Sequence, residues 1–389
     1  MLSKFSVMYV GSINLENVGR DGTPADERRY SNERLVEALY NSEALAEHMD
    51  GLGYHVLWGA EHHFQREGYE CIPNLILWAV HLAGRTRNLK FGCAFNIIPT
   101  WHPIRLVEDF AMADVFTRGR VIFGVGRGYQ SREVEVFGAP LLDNDANREL
   151  YEEQLEILRQ AFECESFSHE GKRYTIPPRI PFREGELTEI TVVPRPVHRP
   201  VEIWQPITSG KTLAFIAQQG IKGMVAFNGE KLTRQVFQTY RDEAAKAGRQ
   251  LELGQDLGLG LAVYIADSRR EAIERVRPYH DERYKWFAKF GLVRYADEQG
   301  RMWGTPGAPA RLPTIEDGVE QRAWLCGPPE EIVAQLRAYE DEYPGLDQVI
   351  LHWPEGMPRE DFFRQLGWFA EGVMPHFQPA PEPAAAQRR

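Results

Sequence analysis

The segment His55-Val-Leu-Trp-Gly-Ala-Glu-His-His63 is an apolar run that ends in a carboxylate and two imidazoles. Short apolar runs of this kind are typical of strands that are buried on both faces of a parallel sheet. Helical periodicity follows over residues 75–83, and a second apolar run over residues 89–98 predicts another strand. This β–α–β order decides the fold class, because consecutive parallel strands need a crossover, which is usually a helix.

The same alternation continues in both directions along the chain. Strands are predicted, in chain order, at residues 5–10, 55–63, 89–98, 120–125, 201–205, 223–227, 257–265 and 348–353. About eight strands, each followed by a helix, predict an α/β protein with a (β/α)8 TIM barrel. An open doubly wound sheet is the alternative, because periodicity alone does not close a barrel.

Two stretches interrupt the alternation, the Pro-rich residues 165–200 and the Gly/Pro-rich residues 293–322. Long irregular segments inside a compact domain are usually functional, so both are interpreted as insertion loops at the carboxyl-end face that cover a substrate. Residues 1–377 are interpreted as a single barrel domain. The Pro- and Ala-rich residues 378–389 are expected to form a disordered tail.

Composition excludes several classes of function. The 389 residues include 45 Lys and Arg against 56 Asp and Glu, a formal net charge of −11, which disfavours nucleic acid and anionic membranes as partners. No apolar run reaches the roughly 20 residues of a membrane helix, and the first residues do not resemble a secretory signal. A cytoplasmic protein is therefore expected. The four cysteines form no CxxC pair, and no metal site is expected.

Barrel enzymes carry their active sites at the carboxyl ends of the strands, so candidate residues are sought there. The second predicted strand ends in Glu61-His-His-Phe64. Strand alternation directs only one of His62 and His63 into the barrel mouth, which argues against a shared metal. Structural roles for both histidines are an equal alternative.

The fourth predicted strand ends in Gly124-Val-Gly-Arg-Gly-Tyr129. Glycines at this position let a backbone approach a ligand closely, and Arg127 adds a cation, although a simple turn is the alternative. The segment is not a GxGxxG dinucleotide fingerprint, because Tyr129 occupies the place of the last glycine.

A third candidate is the turn Thr208-Ser-Gly-Lys-Thr212, which opens a helix after the fifth predicted strand. The free N–H groups of a helix N-terminus can bind a phosphate. A Walker A loop would need glycine at position 205, where Gln205 stands. Arg148, near the start of the preceding helix, could pair bidentately with the same phosphate. A capped helix and a solvated surface arginine are the structural alternatives.

Together these motifs resemble the bacterial luciferase-like family of flavin-dependent monooxygenases. The resemblance is carried in order and spacing by the segments Glu61-His-His-Phe64, Ile98-Pro-Thr-Trp-His-Pro-Ile-Arg105, Arg118-Gly-Arg120, Phe123-Gly-Val-Gly-Arg-Gly-Tyr129 and Val136-Phe-Gly138. It runs from the first strand to about Gly223, and more weakly through the last strand. It implies a barrel that binds flavin mononucleotide (FMN) at its carboxyl-end mouth.

The resemblance also implies roles for individual residues. His62 matches the catalytic histidine of the family, and the segment around Ala94 lies where the family has a non-prolyl cis peptide under the flavin. Arg127 matches a contact to the isoalloxazine edge. The positions that match the phosphate site are Arg148, Ser209, Gly210 and Thr212. The side chains expected to form an apolar wall around the substrate are Phe95, Trp101 and Tyr129.

Three departures from luciferase limit what the resemblance implies. The chain is two residues longer between Gly138 and Arg148, and Thr208 stands where luciferase has Glu. Both changes bear on the geometry of the phosphate site. The two insertion loops also differ from luciferase, so light emission is not expected.

The reaction that the resemblance implies is a two-component monooxygenation. A separate flavin reductase would deliver reduced FMN, which reacts with O2 to give a C4a-peroxyflavin that oxygenates a small organic substrate. An oxidoreductase that uses the deazaflavin F420 for hydride transfer is an alternative with the same fold. A non-catalytic luciferase-like subunit is another. Family members usually dimerise, so a homodimer is expected.

Overall fold

The computed structural model describes residues 2–207, 210–297, 303 and 311–377. In chain order its strands are β1 Lys4–Tyr9, β2 Val56–Gly59, β3 Lys90–Cys93, β4 Asn96–Ile97, β5 Val121–Gly126, β6 His169–Glu170, β7 Thr175–Ile176, β8 Pro181–Phe182, β9 Gly185–Glu186, β10 Ile203–Pro206, β11 Lys222–Ala226, β12 Leu257–Ile265, β13 Trp324–Gly327 and β14 Gln348–His352. Its α-helices are α1 Asn32–Leu35, α2 Glu37–Leu52, α3 Leu75–Ala83, α4 Pro103–Thr117, α5 Ser131–Val134, α6 Asn144–Glu163, α7 Gly210–Gln219, α8 Glu230–Lys246, α9 Arg269–Phe287, α10 Ile315–Glu320, α11 Pro329–Glu342 and α12 Arg359–Gly372.

Eight of these strands form a closed parallel barrel in the order β1, β2, β3, β5, β10, β11, β12 and β14. The barrel closes where Lys4 of β1 pairs with Gln348 of β14. Pairing of Ile203 with Phe123 joins β10 to β5. The (β/α)8 barrel predicted from the sequence is confirmed, and the open sheet is excluded.

The inside of the barrel is filled by large apolar side chains that alternate with outward-facing ones. Trp58, Trp204, Met224 and Ile350 form one buried cluster inside it. Gly92 makes room for this cluster, because a Cβ built there would lie 2.0 Å from the ring of Trp58. The outward-facing side chains pack beneath the helices in a separate, larger core.

The strands differ from the predicted segments mainly at their carboxyl ends. Strand β2 ends at Gly59, so the two histidines follow the strand rather than belonging to it. Strand β3 ends at Cys93 and is followed by a cis peptide bond between Ala94 and Phe95. This bond lies where the sequence resemblance implies one. Strand β13 was not predicted; it pairs with the distal part of β12, outside the barrel.

The two insertions are only partly as expected. Residues 165–200 contain two short antiparallel hairpins, β6 with β7 and β8 with β9, so the segment is not irregular throughout. Part of the 293–322 segment lies outside the described residues, as do Thr208, Ser209 and the predicted tail at 378–389. Within the described residues, none of the helices has the length and apolar character needed to span a bilayer.

Candidate active site

His62 lies at the mouth of the barrel between two buried carboxylates. Its Nε2 atom is 3.0 Å from Oε1 of Glu70, and its Nδ1 atom is 3.1 Å from each carboxylate oxygen of Glu133. All three side chains are buried. Both ring nitrogens of His62 are therefore occupied by protein carboxylates.

The two carboxylates determine the charge of this histidine. Burial alone would lower the pKa of His62, but the charges of Glu70 and Glu133 outweigh burial and raise the pKa to about 10. Burial would raise the pKa of Glu70, yet the charge of His62 and the hydrogen bonds to this carboxylate lower it to about 2. At neutral pH His62 is thus an imidazolium cation.

Glu70 is bonded by side chains from several parts of the chain. Besides His62, its carboxylate accepts hydrogen bonds from the Gln65 amide at 2.9 Å, the Tyr129 hydroxyl at 2.7 Å, the Gln130 amide at 3.0 Å and the Trp286 indole at 2.9 Å. A carboxylate with this many donors remains ionised although it is buried. It ties the loops after β2 and β5 to helix α9.

His63 belongs to a different group. Its Nε2 atom is 3.0 Å from Oε1 of Glu61, and its ring lies against the rings of Phe64 and Phe137. Glu61 also accepts hydrogen bonds from the Ile97 backbone and the Trp101 indole, each at 3.0 Å. Glu61 therefore positions the segment that follows the cis peptide.

The glycines at the end of β5 leave room for the segment that follows β3. A Cβ built on Gly124 would lie 1.9 Å from the carbonyl oxygen of Cys93 and 2.9 Å from the ring of Phe95. A Cβ on Gly126 would lie 3.2 Å from Cβ of Phe95. The interpretation that these glycines admit a ligand is therefore wrong for Gly124, which admits the backbone around the cis peptide.

Arg127 and Arg148 lie close together beyond the end of β5. Nη1 of Arg127 donates hydrogen bonds to Asn144 at 3.1 Å and Asn147 at 3.4 Å, both on helix α6. Desolvation, followed by the charge of Arg148, lowers the pKa of Arg127. The acidic partner of Arg148 is Glu152, at 3.8 Å. Two neighbouring guanidinium groups with so little compensating negative charge favour an anion.

The other half of the predicted phosphate site begins helix α7. Gly210 is its first residue, and a Cβ built there would meet nothing within 4 Å. Thr212 is buried, whereas Ser209 lies outside the described residues. Because β5 and β10 are adjacent in the barrel, this N-terminus lies on the same side of the mouth as Arg127.

The three residues expected around the substrate have different surroundings. Phe95 is partly buried against the barrel interior. Trp101 is fixed by its indole bond to Glu61, and Tyr129 by its hydroxyl bond to Glu70. Tyr129 keeps 37% of its surface exposed, and its ring lies 5.4 Å from that of His62. Only Tyr129 is thus placed directly beside the histidine.

A second ionisable group lies at the end of β14. Nε2 of His352 is 2.7 Å from Oε1 of Glu355 and 2.9 Å from Nη1 of Arg283, which also donates to that oxygen at 2.8 Å. The Arg283 guanidinium lies 3.8 Å from the ring centre of Phe227 and 4.5 Å from that of Phe287. No group of three or more side chains suited to a metal ion occurs in the described ranges.

Comparison with known proteins places this chain in a family. The sequence profile described as luciferase-like monooxygenase matches residues 18–344. The chain belongs to the luciferase-like monooxygenase family. The resemblance found in the sequence motifs is thereby confirmed.

Two relatives illustrate the range of similarity within the luciferase-like family. An uncharacterised protein of Sinorhizobium fredii (strain NBRC 101917 / NGR234) is 32% identical over 197 residues, which are 50% of this chain and 51% of that protein. This match spans about half the length of the relative. The oxygenase component of flavin-dependent trigonelline monooxygenase from Acinetobacter baylyi is 24% identical over 364 residues, 90% of this chain and 93% of that one.

Solved structures with the same fold match nearly the whole length of this chain. The oxygenating constituent of 3,6-diketocamphane monooxygenase from Pseudomonas putida, solved in complex with FMN, matches with a TM-score of 0.75 and 19% identity. The match covers 98% of this chain and 100% of that chain. At this level of identity the comparison confirms the fold.

Several residues of the candidate site were missed by the sequence analysis. Glu70 and Glu133 belong to no motif and meet His62 only through the tertiary fold. Arg283 and Trp286 lie on helix α9, far from any predicted strand end. His352, in contrast, is the last residue of β14, so the rule that led to His62 could also have identified it.

Proposed function

We propose that this protein is the oxygenase component of a two-component flavin monooxygenase, which uses reduced FMN and O2 to oxygenate a small organic substrate. The observation that carries the proposal is the pair Arg127 and Arg148, on the same side of the barrel mouth as the N-terminus of α7. Arg127 follows β5, and Arg148 lies on α6, between β5 and β10 in the chain, whereas α7 follows the adjacent strand β10. This arrangement suits the phosphate of FMN.

The chain's own residues have distinct parts in this proposal. Arg148, Gly210 and Thr212 would hold the phosphate together with Ser209, and Arg127 would add a second cation. The segment Ala94–Phe95, which directly follows β3, the strand next to β5, would support the flavin ring. His62, fixed between Glu70 and Glu133, is a buried imidazolium at the barrel mouth that is paired with both carboxylates. Bound reduced FMN would supply the electrons that activate O2.

The proposal includes a separate flavin reductase as a transient partner. The chain has no glycine-rich dinucleotide fingerprint with which to bind NAD(P)H. The similarity to an oxygenase component from Acinetobacter baylyi supports the same arrangement, in which oxygenase and reductase are separate proteins.

Rapid mixing tests the proposed function. The purified protein is mixed with reduced FMN without oxygen, O2 is added, and the return of the oxidised flavin absorbance is followed. We expect bound flavin to reoxidise more slowly than free flavin and with altered absorbance. A protein that binds F420 but not FMN supports the hydride-transfer alternative. A protein that binds neither cofactor supports the non-catalytic subunit.

We also propose that the protein is a homodimer through helices α3 and α4. These neighbouring helices expose Leu77 by 70%, Phe116 by 65% and Met112 by 43%, an apolar surface that a second copy could bury. The double variant Leu77→Asp/Phe116→Asp should sediment as a monomer in analytical ultracentrifugation. The control Leu142→Asp, in the loop before α6, should not change the mass. A wild-type monomer would contradict the proposal.

A further inference from the structure

A cavity of about 370 Å³ opens at the amino ends of the barrel strands. Its lining includes the first residues of β1, β3, β5, β11, β12 and β14, together with the residues directly before β2 and β10. The candidate active site lies at the carboxyl ends, on the opposite side of the barrel. The volume is within the range of small-molecule sites, so this amino-end cavity is a separate place for a ligand.

Three lysines line the amino-end cavity, at the starts of β1, β3 and β11: Lys4, Lys90 and Lys222. Two of them are paired with carboxylates of the same cavity. Nζ of Lys4 is 2.5 Å from Oδ2 of Asp347, and Nζ of Lys222 is 2.6 Å from Oε2 of Glu202. Lys90 is partly buried and has no ion pair or side-chain hydrogen bond in the part of the chain that the structure describes. Its ammonium group therefore lacks a partner, which is costly for a charge withdrawn from water.

The other two carboxylates of the amino-end cavity are bound at its rim. Asp114 accepts hydrogen bonds from the backbone N–H groups of residues 197 and 198, at 2.6 and 3.0 Å, and lies 3.0 Å from the ring of His198. Asp256 is paired with Arg249 at 2.5 Å. All four carboxylates of the cavity thus have donors of their own, and none is paired with the free lysine.

His55 is the neighbour of Lys90 in the cavity wall, where the backbone N–H of Lys90 donates to the carbonyl oxygen of His55 at 3.1 Å. Burial, followed by the charges of Lys90 and Lys4, lowers the pKa of His55 to about 4. Asp347 and Glu202 oppose this shift, but each acts less strongly than either lysine. The ring is therefore neutral at neutral pH and has one N–H to donate, for which no acceptor occurs among the described residues.

We infer that the amino-end cavity binds a small organic carboxylate, which pairs with the ammonium group of Lys90 and accepts a hydrogen bond from the ring of His55. The two oxygens of a carboxylate can accept from two adjacent donors, and such charge-assisted bonds are the stronger ones. The rings of Phe110 and Trp204 also line the cavity, so the hydrocarbon part of the ligand has apolar contacts.

The charge of the amino-end cavity favours a carboxylate over a phosphate. One unpaired ammonium group balances the single charge of a carboxylate. A phosphate monoester carries about −1.5 to −2 and would be left partly uncompensated beside Glu202 and Asp347. The ligand is therefore a monoanion with a small apolar body.

Equilibrium dialysis of the full chain tests the inference with benzoate as the probe and benzyl alcohol as a neutral probe of similar size. We expect benzoate to bind and benzyl alcohol not to bind. Lys90→Met removes the charge but keeps most of the side-chain length, so benzoate binding should weaken about tenfold or more. Lys246→Met is the matched control, because Lys246 lies on the surface of α8 and pairs with Glu243 at 2.6 Å.

Three results of the dialysis would overturn the inference. They are the absence of benzoate binding, equal benzoate affinities of Lys90→Met and the wild type, and tighter binding of inorganic phosphate than of benzoate. Lys90→Met removes no contact within the protein, so its fold and its stability should remain those of the wild type.

Nitrogen-15 NMR of labelled histidine rings locates the bound probe in the wild-type protein. We expect the ring resonances of His55 to shift with benzoate but not with benzyl alcohol. His280 is an internal control, because its buried ring packs against Tyr284 and Trp324. Benzoate bound at Arg148 would leave His55 unshifted, which would contradict the inference even if Lys90→Met failed to fold. Neither measurement involves flavin or O2, so the result is independent of the rapid-mixing test of the proposed function.

Discussion

The Nε2 atom of His62 lies 3.0 Å from a carboxylate oxygen of Glu70, and both groups are buried at the mouth of the barrel. A buried ion pair is stable only when further hydrogen bonds satisfy its remaining polar atoms, and here both His62 and Glu70 have such bonds. Glu133 bonds the other nitrogen of the ring, and four other side chains bond Glu70. Carboxylates on both sides of the ring thus hold His62 as an imidazolium.

The ion pair makes stability depend on pH in a defined direction. The pKa of His62 is raised to about 10, against about 6.5 in an unfolded chain, so its contribution is complete below about pH 6.5. The contribution is lost as the pH rises toward 10. We expect the difference in free energy of unfolding between the wild type and His62→Gln to shrink over this interval. Denaturant unfolding at several pH values measures it; a constant or growing difference would contradict the assignment.

The phosphate site can be tested by comparing FMN with riboflavin. Arg148→Ala should weaken FMN binding roughly tenfold or more, because a charge-assisted contact is worth about 1.5–3 kcal/mol. Riboflavin has no phosphate, so its affinity should stay nearly constant. Arg159→Ala is a matched control on the same helix, where Arg159 pairs with Gln219. Equal losses for both ligands in Arg148→Ala would refute the phosphate role.

Gly124 and Gly367 form a matched pair of glycine substitutions. A Cβ on Gly124 would lie 1.9 Å from the carbonyl oxygen of Cys93, so Gly124→Ala should cost the upper end of the ~1–3 kcal/mol typical of overpacking. A Cβ on Gly367, inside helix α12, meets nothing within 4 Å. Gly367→Ala should therefore stabilise by about 0.5–1 kcal/mol. Chemical denaturation of both variants checks the opposite signs.

Limited proteolysis should cut the second hairpin of the 165–200 insertion before the first. Glu153 of α6 binds the backbone N–H groups of Arg173 and Tyr174 in the first hairpin, at 2.9–3.1 Å. Residues 178–186, which include β8 and β9, are all exposed. Mass spectrometry of early fragments identifies the site. First cleavage within residues 169–176 would contradict the expectation, and slower cleavage with FMN would support a covering role.

The barrel was predictable because its strands are nearly continuous apolar runs. The apolar pattern does not show at which residue a strand ends. Residues 60–63 were predicted to continue β2, yet the strand ends at Gly59. Strand β13 is a four-residue run that propensity does not separate from a loop or a helix end.

The candidate site was predictable where a residue follows a strand within a motif. His62 and Arg127 were identified in this way, whereas the segment around Ala94 was identified only through the resemblance to the family. The partners that determine the behaviour of His62 were not, because Glu70 and Glu133 are joined to it only by tertiary packing. Sequence spacing also could not show that Arg127 and Arg148 lie near each other, since that depends on how α6 packs against the barrel.

The indole bond from Trp286 to Glu70 joins residues 216 positions apart in the chain. During synthesis on the ribosome, Glu70 emerges long before helix α9, so its set of donors is completed only after residue 286 has been made. A fragment that ends before residue 269 would lack both this donor and the last barrel strand. The barrel mouth is therefore completed late in synthesis. An interrupted translation product would have an open barrel in which Glu70 lacks the hydrogen bond from Trp286.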